Sequence, residues 1–169
     1  SGMMYINQRR ADERIMYEHF MRMLETRSGV MQKSLFPLMF EPSPEERGLL
    51  IEVMTELNAI GFDIVMVGND KFEIRGVPAE LAEMDVNAII RQLLDELSEG
   101  SLDVKLLLND KIAISLAKSA AMSSGVALKD EEMEDLFFRL MSCSNHNYTA
   151  DGRKIMEIVD ISEIESKFN

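Results

Sequence analysis

The residues able to do chemistry cluster early in the chain. Asn7-Gln8-Arg9-Arg10-Ala11-Asp12-Glu13-Arg14-Ile15-Met16-Tyr17-Glu18 follows a short apolar run, Met3-Met4-Tyr5-Ile6, that predicts a strand. Ile15, Phe20 and Met23/Leu24 then recur at near-helical spacing, so the stretch opens an amphipathic helix. A strand end and a helix N-terminus both let polar side chains reach a bound ion. Glu13, Glu18 and, far along the chain, Asp151 are the carboxylates that could form a Mg2+ or Mn2+ site from oxygen donors. Two features oppose it. Glu13 and Glu18 are five positions apart, which turns them to different helix faces and leaves Glu18 to a solvated one. Arg9 and Arg10 are permanent cations that repel a divalent ion, and beside Glu13 and Asp151 they predict a salt-bridged cluster instead. His19 and His146 each lack a second ligand at metal spacing. Cys143 has no His–carboxylate pair to activate it and reads as a small buried hydrophobe. No glycine-rich phosphate loop is present.

The elements that must hold these residues can be traced by periodicity. After the first helix, 26–32 reads as a loop and Ser34–Phe40 as a strand, with Pro37 marking an edge or a bulge. Ser43-Pro44-Glu45-Glu46 carries the start signals of a helix that continues through Leu49, Leu50, Val53, Met54, Leu57 and Ile60 to Gly61. Phe62–Val67 and Lys71–Arg75 flank Gly68-Asn69-Asp70, a hairpin pattern. An amphipathic helix is predicted over Asp85–Leu97, a short helix over Leu102–Leu108 and a small-residue helix over Asp110–Met122. A helix with an acidic first turn follows from Asp130 to about Met141. A polar loop, a strand over Lys154–Val159 and a terminal helix over Ser162–Phe168 complete the order. Strands and helices mix without regular alternation, so the fold class is α+β.

With 169 residues and 46% hydrophobic content, the chain can bury a real core. A net charge of −12 argues against a stand-alone nucleic-acid binder, because phosphate contacts need clustered Lys and Arg. One cysteine excludes an internal disulfide and fits a reducing compartment; without a signal peptide or long apolar run, the protein is expected in the cytoplasm and off the membrane. Ser1-Gly2 in place of an initiator Met reads as the remnant of a cleaved tag, so a longer parent protein is expected. Fourteen methionines without tryptophan point to adaptable core packing or to a plastic oligomer interface.

The opening stretch resembles the signature of the MutL mismatch-repair family's C-terminal domain. Nuclease-bearing members carry Asp-Gln-His-Ala, two residues, Glu, four residues and Glu. Gln8, Glu13 and Glu18 match; Asn7 stands at the Asp, Arg9 at the His and Arg10 at the Ala. Later family motifs are also altered. Ala117 stands at the Cys of Ala-Cys-Lys, Thr149-Ala150-Asp151-Gly152-Arg153 replaces Cys-Pro-His-Gly-Arg, and Phe168-Asn169 stands at Phe-Lys-Arg. Leu35-Phe36-Pro37-Leu38, Gly61-Phe62, Gly76-Val77-Pro78 and Glu131-Glu132-Met133 fall in family order too. The resemblance implies a dimerisation subdomain, 1–33 with 111–169, and an inserted external α/β subdomain, 34–110. The family has a further strand before Met3–Ile6, so an incomplete dimerisation sheet is expected.

The implied function is homodimerisation of a mismatch-repair matchmaker that links MutS to downstream factors, without nuclease activity. Degenerate nuclease positions Asn7, Arg9, Glu13, Glu18, Ala117, Thr149 and Asp151 lack the thiolates and imidazole of a zinc site. The alternative is a metal-dependent nicking endonuclease with an altered site. No cofactor is expected in this fragment; by resemblance ATP and Mg belong to an N-terminal domain outside it, and DNA contact falls mainly to the rest of the full-length protein. Gln32-Lys33-Ser34-Leu35-Phe36, followed by Pro37, resembles the pentapeptide that docks bacterial repair proteins on the sliding clamp, with Leu and Phe entering an apolar groove. The alternative reading puts Leu35 and Phe36 in the strand core, one on each face.

Overall fold

A computed structural model describes residues 2–99 and 105–168. Among these the class is α+β: five strands in two antiparallel sheets, with six helices. The order is β1 (Gly2–Ile6), α1 (Gln8–Thr26), β2 (Met31–Phe40), α2 (Pro44–Ala59), β3 (Asp63–Val67), β4 (Lys71–Pro78), α3 (Val86–Ser98), α4 (Lys105–Ala120), α5 (Asp130–Met141), β5 (Met156–Asp160) and α6 (Ile161–Glu165). The chain forms two compact units, residues 1–18 with 121–169 and residues 19–120, with α1 running from one into the other.

In the first unit β1 pairs with β5 in simple register, Met3 opposite Val159 and Met4 opposite Ile158. Ala11 and Ile15 of α1, Leu136 and Leu140 of α5, and Ile155 form its buried core. Asp130, Glu131 and Glu132 open α5, where negative charge suits the exposed amides of a helix start. The strand expected over Lys154–Val159 begins two residues later. Lys154 forms an isolated bridge with Tyr148, and the Ile155 amide donates to the Asn147 carbonyl, so both residues belong to the preceding turn. α6 starts one residue earlier than expected and ends at Glu165. Asp160 caps it by accepting from the Ser162 amide at 3.0 Å.

In the second unit the sheet order is β2-β4-β3, so Pro37 does lie on an edge strand. The hairpin expected around Gly68 forms, with Gly68 at φ +70° supplying the turn. Phe40, Phe72, Ile64 and Ile74 are buried with Leu50, Val53 and Leu57 of α2 and Ile90, Leu93 and Leu94 of α3. α2 starts as the sequence implies: Ser43 Oγ accepts from the Glu46 amide, and the Glu46 carboxylate accepts from the Ser43 amide. Its end is shaped by two glycines. A side chain on Gly29 would run into the Ile60 backbone, and Gly61 adopts φ +105° against the Val30 carbonyl.

Two expectations need correction here. β2 begins at Met31, not Ser34, because Met31, Gln32 and Lys33 pair with Pro78, Val77 and Gly76. α4 is one helix from Lys105 to Ala120, where two were expected; Asn109 and Asp110 sit on a partly exposed side without interrupting it. Residues 102–104 of the expected short helix lie outside the described residues. Of the fourteen methionines, Met23 is buried, while Met3, Met4, Met31, Met39, Met66, Met84 and Met133 are exposed. Among the described residues no helix is long and apolar enough to cross a membrane.

Candidate functional site

Asn7 joins β1 to α1. Its amide donates to the Ile155 carbonyl at 2.9 Å, and its side-chain oxygen accepts from the Arg10 amide at 3.1 Å, which occupies one of the unpaired donors of the helix start. Gln8 donates its side-chain amide to the Val126 carbonyl. Six residues into the helix, Glu13 is buried. Its carboxylate accepts from Nη2 of Arg153, whose Nε donates to both oxygens of Asp151 at 3.0 and 3.1 Å. Thr149 fixes the other end of the cluster. Its hydroxyl donates to Asp151 at 2.6 Å and accepts from the Arg153 amide at 2.9 Å, and Gly152 at φ +87° closes the turn. The hydrogen bonds to Asp151, helped by Glu13, outweigh desolvation and hold the guanidinium still more firmly protonated than usual.

The bridging cation is therefore Arg153. Arg9 and Arg10, which the sequence put in that role, turn their guanidinium groups to Ser124 Oγ at 3.5 Å and the Lys154 carbonyl at 2.8 Å. Arg153 lies in the Thr149–Arg153 turn that the sequence singles out, but no local signal pairs it with Glu13, 140 positions away. Glu18 belongs to a separate group. It accepts from Arg14 at 2.7 and 3.0 Å, from the Ser144 amide at 2.9 Å and from the Ser144 hydroxyl at 2.7 Å. Partial burial acts to raise the Glu18 pKa, but the Ser144 hydroxyl and amide and Arg14 together hold it below the ordinary carboxylate value. Nothing in the sequence singled out Ser144, just beyond α5.

The candidate metal-site positions do not converge as a donor set. Glu13 and Asp151 meet through Arg153 and Glu18 has other partners. Ala117 is buried on α4 of the second unit and offers no donor atom. Among the described residues no three His, Cys, Asp or Glu side chains gather where they could hold a metal ion. His19 faces Glu80 at 2.6 Å. Cys143 is half-buried at the edge of the first unit's core, with Sγ 3.5 Å from the Arg139 carbonyl.

Two surfaces stand out for interaction. On the first unit, Met4 and Ile158 are paired directly across β1 and β5 and are 49% and 69% exposed, with Met3 and Tyr5 about half exposed on the opposite face of the ribbon. On the second unit, Leu35 and Phe36 are 92% and 81% exposed. They are not strand core. The β2–β4 register shifts between Lys33 and Leu38, and the segment between leaves the sheet. Gln32, Ser34, Leu35 and Phe36 line a groove of about 330 Å³ together with Ile74, Val77, Met84 and Val86.

Residues 1–128 match the family model of the MutL C-terminal dimerisation domain. The chain is 34% identical over 168 residues to the DNA mismatch repair protein MutL of Parabacteroides distasonis, covering 99% of this chain and 27% of the relative. The MutL of Bacteroides fragilis is 33% identical with the same coverage, and that of Flavobacterium johnsoniae 32% identical, with 26% of the relative covered. The chain thus spans about a quarter of the length of these relatives. With that match running from β1 to beyond α4, this chain belongs to the MutL C-terminal dimerisation domain family of DNA mismatch repair.

Proposed function

We propose that this domain clasps two copies of a mismatch-repair protein together through the exposed face of the β1–β5 sheet. The observation that carries the reading is the Met4–Ile158 pair, exposed on one face of a sheet that has two strands among the described residues, with Met3 and Tyr5 half exposed on its other face. A two-stranded ribbon gains little stability alone, and an apolar face on it is covered to advantage by a second copy. Residues 1–33 and 111–169 then serve dimerisation, and 34–110 form the external part. Clasping raises the effective concentration of the ATP- and Mg-binding N-terminal domains through their linkers. In that role the protein links MutS to downstream repair factors in the cytoplasm, with DNA held mainly by the rest of the full-length chain. Sedimentation of the wild-type chain should show a dimer and that of Met4→Glu with Ile158→Glu a monomer; a wild-type monomer at tens of micromolar would defeat the reading.

The domain acts without nuclease activity of its own. Glu13 and Asp151 are engaged by Arg153, and Glu18 by Arg14 and Ser144, so these three carboxylates do not form a set that shares a metal ion. The competing reading, a metal-dependent nicking endonuclease, is tested on supercoiled plasmid with Mn2+. Nicking that vanishes in Glu13→Ala would establish that alternative.

The exposure of Leu35 and Phe36 favours one further partner, the bacterial sliding clamp, with Gln32, Ser34 and Pro37 shaping the docking segment. A clamp pull-down should fail with Gln32→Ala and Phe36→Ala combined. Retention equal to wild type would rule the segment out.

A further inference from the structure

We infer that the Ser34–Pro37 segment docks as a preformed finger while β2 remains paired in its sheet, and not as an extended peptide peeled away from it. The inference rests on the docking role proposed for Leu35 and Phe36. Lys33 lies opposite Gly76 and Leu38 opposite Ile74. Four residues of β2, Ser34 to Pro37, therefore span the interval that Arg75 alone spans on β4. The extra length has to leave the plane of the sheet. Ser34 closes the resulting loop, its hydroxyl donating to the Phe36 carbonyl at 2.6 Å. Pro37 has no amide to leave unpaired there and fixes its own φ. Leu35 and Phe36 are thrown outward side by side.

Both roots of the finger are held. Met31–Lys33 pair with Pro78–Gly76, and Leu38–Phe40 pair with Ile74–Phe72. The second root ends in Phe40, 1% exposed, with the Arg91 guanidinium 4.9 Å from its ring centre. Drawing Gln32–Phe36 into one extended strand on a partner would break these pairs and drag on a core side chain. Docking of the finger as it stands avoids both, and the order it needs is already fixed by folding. The partner it fits has two adjoining apolar pockets, one for Leu35 and one for Phe36. Ser34 acts as the positioning residue that sets the angle between them.

The test uses the full chain with Cys143→Ser and a disulfide between Met39→Cys and Glu73→Cys, which face each other across the ladder. Met31→Cys with Pro78→Cys locks the other root and stands in if the first pair misfolds. Binding to the immobilised sliding clamp of the same organism is measured before and after reduction. The oxidised form is expected to bind within about twofold of the reduced one. Ser34→Ala should bind roughly five- to tenfold more weakly, the equivalent of one hydrogen bond, at an unchanged melting temperature, with Ser34→Thr restoring it. A loss of about tenfold or more on oxidation, reversed by reduction, would show that the strand must open and would overturn the inference. Phe36→Ala binding like wild type would overturn the docking reading itself, whatever the locked forms do.

Discussion

At the Glu13 cluster a buried carboxylate, a guanidinium and a second carboxylate satisfy one another; at the finger, two large apolar side chains stand in solvent. Both regions sit where the sequence matches a known motif, yet they keep different things. In the cluster Arg153 bridges Glu13 and Asp151, so that each charge is compensated inside the unit. The finger retains chemistry that has no purpose inside the fold. Charge that has been neutralised within a unit reads as structure, whereas apolar area left uncovered reads as contact with something else.

The largest expected effect separates two phenylalanines of one strand. Phe40→Ala should cost about 3–5 kcal/mol, the usual range for a fully buried aromatic, whereas Phe36→Ala should stay within about 0.5 kcal/mol in the same denaturant titration. Near-equal losses would erase the contrast between core and finger. Next comes Arg153→Met, which leaves Glu13 buried without its cation. A loss of about 2 kcal/mol is expected, discounted for the partly exposed guanidinium, or roughly 4–8 °C in melting temperature. Arg153→Lys should recover part of it, since one ammonium cannot span both carboxylates as a fork does.

The smallest effect concerns the Glu18 group, and it carries a pH signature. The folded pKa of Glu18 lies below its unfolded value near 4.5. The stabilisation is therefore fully present above that value and is lost as pH falls through the lower, folded one. Ser144→Ala should cost about 1 kcal/mol at neutral pH and less once Glu18 is protonated. A penalty that persists unchanged in acid would place the role of Ser144 outside its contact with Glu18.

Local rules made much of this molecule legible. The Ser43–Glu46 start, the Gly68 turn and the acidic opening of α5 all follow from short-range signals, and each is where the spacing puts it. What escaped depends on distant partners. Met31–Lys33 becomes strand only because Gly76–Pro78 pairs with it, and Arg153 bridges to a residue 140 positions away. The same limit explains why Arg9 and Arg10 were expected beside Glu13: they are neighbours in sequence, but the helix start turns them to Ser124 and Lys154. The finger was half visible. Pro37 announced an edge or bulge, but the number of looped-out residues is set by the register of β4.

β1 and β5 lie about 150 positions apart, and their union has a consequence for biosynthesis. A ribosome finishes Met3-Met4-Tyr5 long before it makes Met156–Asp160. Throughout elongation the first strand lacks its hydrogen-bonding mate, and the Met4–Ile158 face does not exist. In the proposed dimer, two nascent chains cannot join through that face until Met156–Asp160 has been made. Until then β1, with Met3 and Met4, is an unpaired strand edge of the kind that chaperones shield.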